Sequence, residues 1–141
     1  MDGITGKSVF IADDHVAFCK RLAEMLAEIE GIQVVGRAGT VPEAIRSISE
    51  LKPDIVLLDI RMPPGAGGFD VLRKIKDGEG RPRVIMLTAF SNAEYRNRCI
   101  AMGADYYFDK SSDLRKMLGT IRKLVLTHTL LSEEENDGSR E

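Results

Sequence analysis

Asp54-Ile55-Val56-Leu57-Leu58-Asp59 sets four consecutive apolar residues between two aspartates. A run this short, β-branched at its start and without polar interruption, describes a strand buried on both faces, the habit of a parallel sheet. Val9-Phe10-Ile11-Ala12, Val84-Ile85-Met86-Leu87 and Tyr106-Tyr107-Phe108 have the same character. Ile32-Gln33-Val34-Val35 is more mixed and suits an edge strand. Helical periods lie between these runs: Phe18, Leu22, Met25, Leu26 and Ile29; Val41, Ala44, Ile45, Ile48 and Leu51; Leu114, Met117, Leu118, Ile121 and Leu124. Thr40-Val41-Pro42-Glu43 and Ser91-Asn92-Ala93-Glu94 match the capping box, in which hydroxyl and carboxylate satisfy free amides at a helix start. Gly31 and Gly103 stand where a left-handed residue ends a helix. Strand and helix thus alternate five times. That order predicts an α/β fold: a doubly wound, five-stranded parallel sheet in the flavodoxin-like order 2-1-3-4-5, with helices on both faces.

The composition fits one domain. The chain has 141 residues, 43% hydrophobic and 30% charged, with a formal net charge of -2. Such a balance supports one core without disulfides and offers no basic excess for nucleic acid, so no direct nucleic-acid binding is expected of this segment. Cys19 and Cys99 both fall in helical segments, and no Cys/His spacing suggests zinc. Met1-Asp2-Gly3-Ile4-Thr5-Gly6-Lys7 has no signal-peptide pattern, and no apolar run reaches membrane length; a cytoplasmic protein is expected. Residues 1–6 are expected to be an N-terminal extension and 7–126 the domain. Glu133, Glu134, Glu135, Asp137 and Glu141 mark 127–141 as an acidic flexible tail or the start of a linker.

The chemistry lies where the strands end. The first apolar run stops at Asp13-Asp14, the third strand at Asp59 and the fourth at Thr88, while the fifth is followed by Lys110. In order 2-1-3-4-5 these strands are neighbours, and open parallel sheets gather function outside their carboxyl ends. Three carboxylates brought this close repel by ~1–4 kcal/mol per pair at 4 Å. A hard cation removes that cost, and Mg2+, which takes few carboxylates and welcomes phosphate oxygens, fits better than calcium. Asp59 can then act as a nucleophile toward a phosphoryl group, with Lys110 and metal offsetting its charge and Thr88 donating a hydrogen bond to an equatorial oxygen. Ala89 is small enough to leave room for the incoming group. Taken singly, the residues have plainer explanations: a helix cap for Asp13 or Asp14, a turn for Asp59, a strand end for Thr88, a solvated surface for Lys110. One site accounts for all of them at once. His15, beside the acidic pair, reads as a partly exposed helix-start residue and not a ligand, and Met62 and Met86 read as packing residues.

Val9-Phe10-Ile11-Ala12-Asp13-Asp14-His15, Asp54 through Pro63, Leu87-Thr88-Ala89 and Gly103 through Lys110 together resemble the four signatures of response-regulator receiver domains, over about residues 7 to 125. The resemblance implies a two-component system, with a histidine kinase or phosphotransfer protein as phosphoryl donor and Asp59 as acceptor. It implies Mg2+ held by Asp14, Asp59 and the backbone carbonyl of Arg61, with Asp13 acting through water. It implies that Thr88 and Lys110 meet the phosphoryl group, and that Tyr107 is the aromatic that turns inward on activation. The face of the fourth helix, fifth strand and fifth helix would then change, to engage a downstream effector or output domain or to form a homodimer. Arg61 and Phe90, two residues beyond Asp59 and Thr88, could screen the site from water. Two features depart from the family pattern. Ser111 replaces a proline that commonly follows the lysine in a cis bond, and Pro63-Pro64-Gly65-Ala66-Gly67-Gly68 is one residue longer than usual before Phe69.

Three other readings compete. A pseudo-receiver, a protein-interaction module without the switch, conflicts with the intact Asp13-Asp14, Asp59, Thr88 and Lys110 set. A haloacid-dehalogenase-type hydrolase wants a second aspartate where Arg61 stands, and no glycine-rich phosphate loop follows the first strand as a nucleotide-binding protein would need. The expected chemistry is limited to uptake of a phosphoryl group and its slow loss to water, not conventional enzymatic turnover.

Overall fold

The computed structural model describes residues 6–78, 82–89 and 92–136, with side chains as far as 126. Strands β1 (Lys7–Ala12), β2 (Ile32–Ala38), β3 (Ile55–Leu58), β4 (Arg83–Thr88) and β5 (Tyr106–Asp109) alternate with helices α1 (Val16–Ala27), α2 (Val41–Leu51), α3 (Gly68–Asp77), α4 (Ala93–Ala101) and α5 (Leu114–Asn136). The five strands form one sheet in the order β2-β1-β3-β4-β5, every pairing parallel, as the alternation predicts.

Successive side chains of a strand point to opposite faces, so an uninterrupted apolar run feeds two cores at once. Phe10, Ala12, Val56, Leu58, Val84 and Met86 pack on one face with Ile48 of α2, Phe69 and Leu72 of α3 and Cys99 of α4. Val9, Ile11, Ile55, Leu57, Ile85 and Leu87 pack on the other with Leu22 and Leu26 of α1 and Met117 and Ile121 of α5. Met62 and Met86 are both fully buried, and Cys19 and Cys99 are buried free thiols. The mixed run does form an edge, where the register with β1 slips between Val9 and Phe10 and brings Gly36 opposite Phe10. A side chain at Gly36 would press on the Phe10 ring at 3.1 Å, which explains a glycine inside a strand.

Two carboxylates clasp the strands at their amino ends. Asp54 accepts from the Ser8 amide at 2.8 Å and the Ser8 hydroxyl at 3.2 Å, joining β3 to β1, while its carbonyl accepts from the Arg83 amide at the start of β4. Asp105 accepts from the Val84 amide at 2.8 Å and from Lys76 Nζ at 3.4 Å, with Arg83 Nη1 at 3.6 Å, joining β5 to β4 and to the end of α3.

Several helix ends differ from the sequence reading. Thr40 Oγ accepts from the Glu43 amide as a capping box requires, but Glu43 reaches back to the Gly39 amide, one residue earlier than expected. Asn92 caps α4 through the Tyr95 amide, one residue later than the box beginning at Ser91; Ser91 lies outside the described residues. An asparagine is as good a cap as a serine, so the sequence offered two adjacent candidates. Gly103 has a φ of 108° just beyond α4 and Gly31 a φ of 91° in the turn leaving α1, which itself ends at Ala27, before Ile29. Leu51, expected on the core stripe of α2, is 47% exposed at the helix end. The backbone of α5 stays helical to Asn136, into the stretch 127–141 expected to be an acidic flexible tail or the start of a linker; leucine and glutamate there are good helix formers. Residues 1–5 and 137–141 lie outside the described residues.

Gly119 sits inside α5 with nothing within 4 Å of the place a Cβ would occupy. Gly119→Ala is therefore expected to stabilise the domain by about 0.5–1 kcal/mol, the helix cost of glycine relative to alanine, seen as a higher urea midpoint with an unchanged slope.

Candidate functional site

The carboxyl ends of β1, β3, β4 and β5 meet at one edge. Asp13 and Asp59 follow the last residues of β1 and β3 and are 3% and 4% exposed, and Thr88, the last residue of β4, has no exposed surface. Asp14 is exposed beside them. An aspartate at the end of a buried strand has no lateral freedom, and these are held further by the backbone: the Asp59 amide donates to the Ala12 carbonyl and the Asp13 amide to the Ala38 carbonyl. Asp13 Oδ1 accepts from the His15 amide at 2.9 Å, so this carboxylate also stabilises the turn into α1, whose cap residue, His15, makes no side-chain cap. Asp59 Oδ1 accepts from the Arg61 amide at 3.3 Å.

Lys110 ties the cluster together. Its Nζ lies 2.7 Å from Asp13 Oδ2 and 3.0 Å from Asp59 Oδ2, with only 11% of its side chain exposed. The Lys110 amide donates to the Thr88 carbonyl at 2.9 Å, which fixes the lysine to the end of the neighbouring strand. Burial alone would lower the Lys110 pKa, but the hydrogen bond to Asp13 and the charge of Asp59 outweigh it and hold the ammonium above its ordinary value. Burial raises Asp13 above the usual carboxylate value, with the bonds from Lys110 and the His15 amide offsetting only part of it. Lys110 thus gains from two carboxylates, whereas Asp13, raised chiefly by its burial, shares that one ammonium with Asp59.

The structure brings Asp14, Asp59, Arg61 and Lys110 into one cleft with His15, Pro63, Gly65 and Ala89. Thr88 lies one residue behind the cleft-lining Ala89. Tyr107, opposite Met86 in the β4–β5 register, is half-buried; burial first, then the neighbouring Cys99, Asp109, Asp59 and Tyr95, push its hydroxyl up to about 12. Phe90 lies outside the described residues. One ligand atom from each of Asp13, Asp14, His15 and Asp59 falls within 4.8 Å of the others. Three carboxylates against one ammonium leave the cluster negative, and their hard oxygens suit a small divalent cation such as Mg2+.

Three features escaped the sequence. His15, expected to be partly exposed, has a side chain 73% exposed, yet it places Nδ1 3.4 Å from Lys110 Nζ, and the Phe18 ring centroid lies 4.6 Å from the same nitrogen. Helical spacing put Phe18 on a packing face, and only the approach of α1 to the β5 end shows its second neighbour. The Lys110–Ser111 bond is trans; Pro63–Pro64 is the only cis bond among the described residues. With no proline to shape it, that turn is held by Asp109 Oδ1, which accepts from the Ser111 amide at 2.7 Å, the Ser111 hydroxyl at 2.5 Å and the Ser112 amide at 3.2 Å. Finally, the longer loop after Met62 folds back on the site. The Gly68 amide donates to the Ile60 carbonyl at 2.9 Å and the Gly67 amide to the Met62 carbonyl at 3.1 Å, while the Val41 amide reaches the Pro63 carbonyl. A Cβ on Gly68 would stand 2.2 Å from the Asp59 carbonyl oxygen, so only glycine lets α3 begin there.

Comparison with known proteins agrees with this geometry. The family model for the response regulator receiver domain matches residues 9–122. Response regulator GacA of Pseudomonas aeruginosa is 33% identical over 126 residues, covering 89% of this chain and 58% of that protein. Among solved structures, a LuxR-family two-component response regulator from Aurantimonas sp. SI85-9A1 superposes with a TM-score of 0.79 at 25% identity, covering 86% of each chain. The CheX-CheY-BeF3-Mg+2 complex from Borrelia burgdorferi contains a chain that superposes with a TM-score of 0.75 at 29% identity, covering 84% of this chain and 88% of that one.

Proposed function

The chain belongs to the response regulator receiver domain family, the receiver of a two-component response regulator, and from that membership we propose that Asp59 accepts a phosphoryl group from a histidine kinase or phosphotransfer protein. The observation that carries this reading is Lys110 bridging two buried carboxylates at the carboxyl edge of the sheet. An Asp59 oxygen forms the new bond to phosphorus as the bond from phosphorus to the donor imidazole breaks, and the imidazole leaves with its electron pair. Lys110 offsets the charge spread over the transferring oxygens, and the Thr88 hydroxyl donates to one of them. Asp14, Asp59 and the Arg61 carbonyl would hold Mg2+, with Asp13 through water. The ion would supply charge neutralisation between carboxylates and phosphoryl oxygens. The chemistry ends with slow hydrolysis of the acyl phosphate.

The consequence is a switch. A phosphoryl group adds about two negative charges beside Thr88 and Lys110. Thr88 moves toward it, Tyr107 turns inward, and the face of α4, β5 and α5 changes to meet an effector, an output domain or a second copy. The chain spans 58% of the length of GacA, and a domain spanning 7–126 would pass the change onward through α5. No helix among the described residues is long and apolar enough to cross a membrane; a cytoplasmic place for this signalling is part of the proposal and rests on the family.

The test is the intact mass of the protein after incubation with acetyl phosphate or phosphoramidate. The expected result is a gain of one phosphoryl group that needs Mg2+ and disappears in Asp59→Asn. If neither small donor nor a phosphorylated donor protein adds mass, the switch is lost and an interaction module takes its place.

A further inference from the structure

Lys110 has an aromatic neighbour besides its hydrogen-bond partners. The three N–H groups of its ammonium are matched by Asp13 Oδ2 at 2.7 Å, Asp59 Oδ2 at 3.0 Å and, in the tautomer that leaves it unprotonated, His15 Nδ1 at 3.4 Å. Phe18 is a fourth contact, a ring face 4.6 Å from Nζ that takes no hydrogen bond. His15 is the cap residue before α1 and Phe18 lies in the first turn, so both reach Lys110 from the start of that helix.

We propose that Phe18 is a positioning residue for phosphoryl transfer, holding the Lys110 ammonium at the cleft by cation–π attraction while that ammonium exchanges a carboxylate oxygen for a phosphoryl oxygen. The proposal rests on the reading of Asp59 as phosphoacceptor. Once an Asp59 oxygen bonds to phosphorus, the carboxylate loses its negative charge and becomes a poorer acceptor, and Lys110 must find a new partner on the phosphoryl group. A hydrogen bond is directional and would have to be broken for that movement. The attraction of a ring face varies slowly as a cation slides over it, so Phe18 keeps the ammonium close without competing for its N–H groups. The shielding of Lys110 from solvent favours the contact, because a desolvated cation is drawn more strongly to a ring. Phe18 also packs at the margin of the α1–α5 core, so its test must separate ring electrostatics from packing.

The first measurement needs neither metal nor phosphate. Protons above a ring face are shielded, so the ε-methylene protons of Lys110 in the metal-free protein are expected upfield of an ordinary lysine, and at the ordinary position in Phe18→Leu. Equal shifts in the two proteins would overturn the contact and the proposal with it. The second measurement is the initial rate of phosphorylation by acetyl phosphate with Mg2+. Phe18→Leu is expected to slow it about 2- to 30-fold, the range that cation–π energies imply, and Phe18→Tyr to restore it. Stepwise fluorination of the Phe18 ring, which drains its face of negative potential at almost constant shape, is expected to lower the rate in steps. A loss that tyrosine does not restore, or that is flat across the fluorinated series, would assign Phe18 to packing alone. If the wild type takes up no phosphate, the reading of Asp59 fails, and the lysine shift still decides whether Phe18 holds the ammonium.

Discussion

Gly68→Ala is expected to lower the stability of the domain by about 3 kcal/mol and to slow phosphoryl uptake by about a hundredfold. The added methyl would stand 2.2 Å from the Asp59 carbonyl oxygen, 2.6 Å from the Ile60 Cα and 2.9 Å from the Asp59 carbonyl carbon. All three are backbone atoms, and none is the yielding end of a side chain. Either α3 retreats, opening the packing of Phe69 and Leu72 that follows it, or the strand end carrying Asp59 is displaced. The first costs stability and the second misplaces the nucleophile. A melting temperature lower by about 10 °C, with a matching fall in initial phosphorylation rate, is the expected outcome. A variant that melts and reacts like the wild type would show that α3 can back away freely.

Lys110→Ala is expected to reduce the phosphorylation rate by about 10²–10³, the usual loss when one preorganised donor is removed from developing charge. It should also cost about 3 kcal/mol of stability without divalent metal, near the lower end for breaking a buried ion pair, since Asp13 and Asp59 then face each other buried and uncompensated. Asp13 sets the pH dependence of that loss. Its folded-state pKa is already raised above 3.8 and would rise further without the ammonium. A raised carboxyl binds its proton more tightly folded than unfolded, so stability falls as pH climbs from the unfolded pKa to the folded one. The deficit of Lys110→Ala against the wild type should therefore be largest at neutral pH and shrink toward acid. Added Mg2+ should recover part of it. Urea titrations at two pH values, with and without Mg2+, read both effects; a deficit independent of pH and metal would mean the lysine contributes packing and not charge.

The fold was legible because burial on both faces leaves no polar residue inside a strand. Ile55–Leu58 and Val84–Leu87 cannot be mistaken for solvent-facing segments, and helices must cover both sides of such a sheet. The acidic cluster was legible because strand ends in a parallel sheet fix where a side chain stands, which places Asp13, Asp59 and Thr88 together. What was hidden depends on how far apart two elements lie in space. His15 and Lys110 are 95 positions apart in the chain, and neither residue signals that it will meet the other. The Ser111 turn was hidden for another reason. A missing proline says which shape the chain is free to leave, whereas the shape it takes is set by Asp109, whose role is written in hydrogen bonds. Helix limits were least legible, since Asn92 competes with Ser91 as a cap and the charges of Glu133–Glu135 suit a solvated helix as well as a loose tail.

The Asp54 and Asp105 clasps sit at the opposite end of the strands from the chemistry, and the two ends are fastened by different kinds of bond. At the amino end, carboxylates grip backbone amides, contacts that no step of phosphoryl transfer touches. At the carboxyl end, the Lys110 ammonium ties Asp13 to Asp59, and on the proposed reading phosphorylation of Asp59 would change one of its two carboxylate partners. On the proposed reading the phosphoryl group would therefore be felt first at the carboxyl edge, where the ammonium passes from carboxylate to phosphoryl oxygen, while the amino edge keeps its clasps.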